Sequence, residues 1–369
     1  MLKEFVKNVN VRNHRYISFY SLRNQSRLND IDDETYNMLK SYKNKNDINL
    51  SLVHNIMPTY MKEYLSIDLN RNIFVNNKNI ENLEYIALNS FNLQKKYWGC
   101  LISNVSLNNN KSIDDYFFIK LYGHFLKKEC KILRINYCLE QNIENNVNIV
   151  FTYFNENFRA HNSFVIFYKK GYKCVNTDGH IIEYDYEKKL KYAFDDIYLN
   201  NIFFSFFTSF KLMKNEEFKE YVKQIKENTY ILYKYINRKY FHIQYSQNNS
   251  FFNLNPSSCT FNIQEFYLLC NKLNIYFDIL KDKSSNQKSF NIGTNNLTSL
   301  GLLTHDIKNV AEFFNESVVL YFYLKEKSKL TNMSFIQYIE DNSSASDIYS
   351  LAVDISSFIS SYPSPYTNE

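Results

Sequence analysis

Residues 147–180 read VNIVFTYFNENFRAHNSFVIFYKKGYKCVNTDGH. Three runs in this stretch, 147–154 (VNIVFTYF), 163–168 (SFVIFY) and 172–177 (YKCVNT), have the length of strands and are rich in β-branched and aromatic residues. A fourth, KILRINYCL, precedes them at 131–139, and KKG at 169–171 reads as a tight hairpin turn. Upstream, 112–128 (SIDDYFFIKLYGHFLKK) begins with a serine and two acids and ends in lysines, the pattern of a capped helix matched to its dipole. A helix followed by a run of strands predicts an α+β layer rather than a doubly wound sheet.

Working outward, residues 1–90 form an N-terminal extension with helical pieces at 30–43 and 80–91, and the α+β core spans 91–205. From 206 to 340 the spacing of apolar residues predicts a mainly helical portion, with helices over 215–241, 262–280, 300–314 and 317–327. Residues 341–369 read as a polar tail that opens on DNSSA and ends on SYPSPYTNE.

Composition narrows the function classes. Hydrophobic residues are 45% and charged residues 22% of 369, ordinary values for a chain that buries a core. The longest uncharged apolar run, 197–210, is shorter than the roughly 18 residues of a membrane helix, and the N-terminus lacks the apolar core of a secretory signal. A cytoplasmic protein is expected, with no membrane partner. The net charge of +5 is modest and both signs are interleaved, which argues against a nucleic-acid binder. About one residue in seven is asparagine, whereas Gly numbers 6 and Pro 4. Each remaining glycine is therefore expected where only glycine fits.

Motifs for nucleotide or metal chemistry are missing: no glycine-rich phosphate loop, no H-E-x-x-H and no G-x-S-x-G. The six cysteines form no C-x-x-C pair and the seven histidines are dispersed, so no metal site and no cofactor are expected. One constellation remains. Gln94 precedes Cys100 by six residues, His161 opens the run HNSFVIFY, and Asn176 and Asp178 follow two apart in YKCVNTDG. A thiol nucleophile requires a base, a group that orients the base, and an oxyanion donor, and this order supplies one of each. Trp98 either lines a substrate pocket or packs into the core, and His180 is the substitute base should His161 face away.

The segment at 147–180, with YWGC at 97–100 and the 112–128 helix, resembles papain-like cysteine enzymes. Within that superfamily it is most similar to bacteriocin leader peptidases and to acyltransferases of the butirosin-biosynthesis and closthioamide types. The resemblance implies a papain-like helix-plus-sheet core followed by a helical C-terminal portion. It implies Cys100 as nucleophile, His161 as base, Asp178 or Asn176 as its orienter, and Gln94 at the oxyanion. The implied reaction is amide formation in natural-product biosynthesis through an acyl-cysteine. The acyl group would come from a phosphopantetheine-linked thioester on an acyl carrier protein and pass to an amine acceptor. A leader peptidase and a catalytically silent docking protein are the alternatives.

Overall fold

The computed structural model describes residues 47–51, 77–104, 132–135, 147–154, 158, 163–193, 203–245, 250–258, 260–281, 288–341 and 345–362. Within them the chain is a mixture of helix and sheet built on two buried clusters.

The first cluster lies on a four-stranded sheet of order β2-β5-β4-β3. Its strands are β2 (Trp98–Asn104), β3 (Ile132–Ile135), β4 (Ile149–Phe154) and β5 (Ser163–Lys169). β5 runs antiparallel to both β2 and β4, and β3 runs parallel to β4. Alternation along the strands carries Trp98, Cys100 and Ile102 to the same face as Val165, Phe167, Val150 and Phe154. There they pack with Leu83, Ala87 and Leu88 of helix α1 (Asn77–Ser90).

The expected hairpin at 169–171 takes a different form. The chain does turn there, with Gly171 at φ +81°. However, both edges of β5 are already filled by β2 and β4. β6 (Tyr172–Val175) therefore pairs instead with β7 (Ile181–Glu183), forming a separate two-stranded ladder. Its apolar residues face solvent: Tyr172 is 61%, Val175 51% and Ile181 69% exposed.

Helices α2 (Tyr186–Ala193), α3 (Phe203–Leu212) and α4 (Glu216–Tyr235) follow. α4 belongs to both clusters: Phe218 and Val222 pack into the first, Leu232 in the second.

The portion expected to be mainly helical contains a second sheet. β8 (Phe241–Tyr245), β9 (Phe251–Pro256), β11 (Asp278–Lys281) and β12 (Lys288–Gly293) form an antiparallel sheet of order β11-β12-β9-β8. Each strand alternates, so Phe241, Phe252, Leu254, Phe290 and Ile292 enter the core while His242, Asn253, Asn255 and Asn291 point the other way. The helix expected over 262–280 stops early. α5 (Ile263–Lys272) is followed by β10 (Ile275–Tyr276), which pairs in parallel with β1 (Ile48–Asn49).

After the short buried helix α6 (Asn295–Ser299), the two helices expected at 300–314 and 317–327 are one 27-residue helix, α7 (Thr304–Leu330). α8 (Phe335–Glu340) follows. Most of the supposed polar tail is helix α9 (Ala345–Ser360), which buries Ile348, Ile355 and Ile359 along one stripe.

Asparagine does work that glycine usually does. Asn92, Asn274 and Asn332, all at positive φ, lie just past the ends of α1, α5 and α7. At two of these ends a backbone N–H reaches back five residues, Leu93 to Leu88 (2.8 Å) and Met333 to Ser328 (3.1 Å), closing the helix with a left-handed cap.

Candidate functional site

The residues expected to be catalytic are placed as follows. Gln94 is exposed in the turn that enters β2, where its carbonyl accepts from the N–H groups of Tyr97 (2.9 Å) and Trp98 (3.1 Å). Trp98 is buried in the first cluster. Cys100 lies inside a strand opposite Phe167, not at the start of a helix, and its thiol faces the same cluster. Burial pushes that thiol well above its ordinary value, and the nearby Glu84 carboxylate pushes it further. The residue keeps some surface, but it is the sulfur's loss of water that sets the direction. An activated nucleophile needs the opposite environment.

Asn176 and Asp178 serve the tip of the β6–β7 hairpin. The Asn176 side-chain oxygen accepts from Asp178 N (3.1 Å) and His180 N (2.8 Å), a turn that Gly179 completes at φ +81°. Asp178 and His180 are exposed. His161 lies outside the described residues, as does the whole of the 112–128 segment. No acid–imidazole–thiol arrangement is assembled among the described residues.

The structure brings together a polar seam that sequence motifs did not indicate. Between α4 and α6, Asn228 donates to Thr298 Oγ1 and to the Leu302 carbonyl, both at 2.9 Å, and accepts from Gln224 at 2.9 Å. The hydroxyls of Thr229 and Thr294 pair at 2.9 Å, and Tyr221 meets Ser299 at 2.8 Å. Asn228, Thr229 and Thr294 have no exposed surface. The one sequence signal was the run GTNNLTS at 293–299, in which polar residues follow directly on the alternating run of β12.

A second assembly joins α5 to α7. Lys325 Nζ reaches Glu265 Oε2 (2.9 Å), Tyr321 Oη (2.7 Å) and the Thr260 carbonyl (2.8 Å). Tyr321 donates to Glu265 at 2.9 Å and accepts from Asn262 N at 3.0 Å. Burial alone would lower the Lys325 pKa, but the bonds to Tyr321 and Glu265 outweigh it and hold the ammonium above its usual value. Burial raises Tyr321 despite Lys325. A lysine held in its charged form stitches helices; it is not a nucleophile. Among the described residues no group of three His, Cys, Asp or Glu side chains could hold a metal ion. No helix among them is long and apolar enough to cross a membrane.

Comparison with protein families gives one finding: a family model described as serine hydroxymethyltransferase matches residues 141–314, somewhat under half of the chain. It overturns the papain-like acyltransferase reading, the leader-peptidase reading and the carrier-protein thioester as partner, since that family transfers a hydroxymethyl group to and from amino acids. The placement of Cys100 is the physical side of the same correction: a thiol buried on a strand beside a carboxylate is not poised to attack a thioester.

Proposed function

We propose that residues 141–314 handle a small amino acid of the serine or glycine class. The single observation that carries this reading is the match to the serine hydroxymethyltransferase family over those residues. The test is ligand-dependent stability. A ligand that binds only the folded chain, present at 100 times its Kd, adds about 2.7 kcal/mol, which moves the melting temperature of a chain of this size by about 3–4 °C. Serine or glycine is expected to produce such a saturable shift, while valine, with its branched side chain, does not. Melting curves identical with and without serine and glycine up to millimolar concentrations would remove the reading.

A further inference from the structure

The matched family works with pyridoxal phosphate, which such enzymes hold through a lysine imine, an acid on the pyridine nitrogen and donors around the phosphate. We infer that residues 141–314 do not hold pyridoxal phosphate in this way. The inference rests on the amino-acid reading above and narrows it: whatever this segment does with serine or glycine, it does without that cofactor on one of its lysines.

The lysines come first. A lysine forms an imine from its neutral amine, and a protein supplies that form by burying the amine or placing another cation beside it. Of the lysines in the segment whose burial the structure describes, none is buried. Several instead are engaged in ion pairs: Lys189 with Asp185 (2.6 Å), Lys191 with Glu187 (2.7 Å) and Lys219 with Glu216 (2.6 Å).

The acid is next. Asp306 is the buried carboxylate among the described residues of the segment. It is already engaged, accepting from Leu303 N (2.8 Å) at the start of α7, lying 3.1 Å from His305 Nε2 and bonding the Tyr362 hydroxyl. Its oxygens cap a helix and tie down the end of the chain.

The phosphate fares worst. A dianion is best received at the N-terminus of a helix, where free N–H groups and the dipole favour it. Acids occupy that first turn in four helices: Glu187 in α2, Glu216 and Glu217 in α4, Glu265 in α5 and Asp306 in α7. The remaining helix of comparable length, α3, opens on the aromatic run FFSFF. The match also cuts across the architecture. It leaves out β2, which flanks β5, and β3, which flanks β4, and it stops in the middle of α7.

The test is titration of the full-length chain with pyridoxal phosphate, followed by borohydride reduction, intact mass and peptide mapping. A cooperative thermal transition first shows that the sample is folded. The expected result is no saturable visible absorption band and, at excess reagent, adducts scattered over many exposed lysines. One lysine modified stoichiometrically at low-micromolar reagent would overturn the inference. A parallel melting experiment with serine and glycine in cofactor-free buffer separates the two ideas. A shift there without an adduct supports both, and an adduct overturns the inference even if the shift is present. With neither shift nor adduct, the amino-acid reading falls while the inference stands.

Discussion

Tyr168 lies across Gly99 so closely that a Cβ built on the glycine would come within 2.5–2.6 Å of the tyrosine ring and its hydroxyl. The two residues are direct partners on β2 and β5, on the sheet face opposite Cys100. Tyr168 is buried, so its ring has no solvent-filled space to swing into. In a chain with only six glycines, this one is explained by a neighbouring ring and not by catalysis.

Gly99→Ala is therefore expected to destabilise the chain by about 1–3 kcal/mol, the usual range for overpacking. Shortening the partner as well, with Tyr168→Leu, should recover part of the loss. Urea unfolding of the two single variants and the double variant checks this, and an undisturbed Gly99→Ala would refute the contact.

Cys100 should be a slow thiol. Its raised pKa predicts that alkylation of the folded protein at pH 7–8 lags behind that of a free thiol, with full labelling only after unfolding. The same shift bears on stability. Because the folded value lies above the unfolded one, the contribution is complete below the ordinary thiol value of 9.0 and is lost as pH rises beyond it. Tyr168, also raised by burial, acts in the same direction. Chemical denaturation should show a midpoint that falls above about pH 9, and less steeply in Cys100→Ala.

Asn228→Ala should cost about 2–4 kcal/mol, because it removes a buried amide that serves two acceptors and one donor. Thr298 Oγ1 loses its donor while still donating to the Thr294 carbonyl at 2.8 Å, so a double-mutant cycle with Thr298→Val should show coupling of about 0.5–3 kcal/mol. Strict additivity would mean that the seam is not a network.

Replacing the left-handed asparagines with glycine should leave stability unchanged or raise it slightly, because glycine meets no Cβ penalty at positive φ. Asn332→Gly and Asn332→Val make the contrast, with valine expected to cost about 1–2 kcal/mol. Equal melting temperatures for the two variants would contradict the assigned backbone.

Removing the Lys325 ammonium leaves a half-buried Glu265 without its cation. Lys325→Met should cost about 1–3 kcal/mol, by the penalty for an unpaired carboxylate and a lost donor. Adding Glu265→Gln should recover part of it, since the remaining pair is then uncharged. Thermal melts of both variants read the difference.

Local patterns in the sequence were a sound guide to some elements. The alternating run IVFTYF is a strand, SFVIFY is a strand, and the 80–91 stretch is a helix that begins a few residues earlier. Other local readings failed for identifiable reasons. FHIQY, FFNLN and SFNIG alternate as strands do, but they are short and lie among longer runs of helical period that mask them within 206–340. The apolar stripe of α9 was hidden by the serines between its buried isoleucines. The order of Gln94, Cys100, His161 and Asp178 along the chain carries no information on whether their side chains meet. Once β2 and β5 pair, alternation sends Cys100 into the core and leaves Asn176 and Asp178 at a solvent-facing turn.

By itself, then, the sequence determined the lengths and periods of several elements and a chain able to bury a core, because these follow from composition and local spacing. Which strands pair, where Cys100 faces, why Gly99 is glycine and how Asn228 meets Thr298 were decided only by the tertiary structure. Gly99 with Tyr168, Cys100 with Phe167 and Asn228 with Thr298 each join residues about 70 positions apart, and such distant meetings leave no mark on any short stretch of chain.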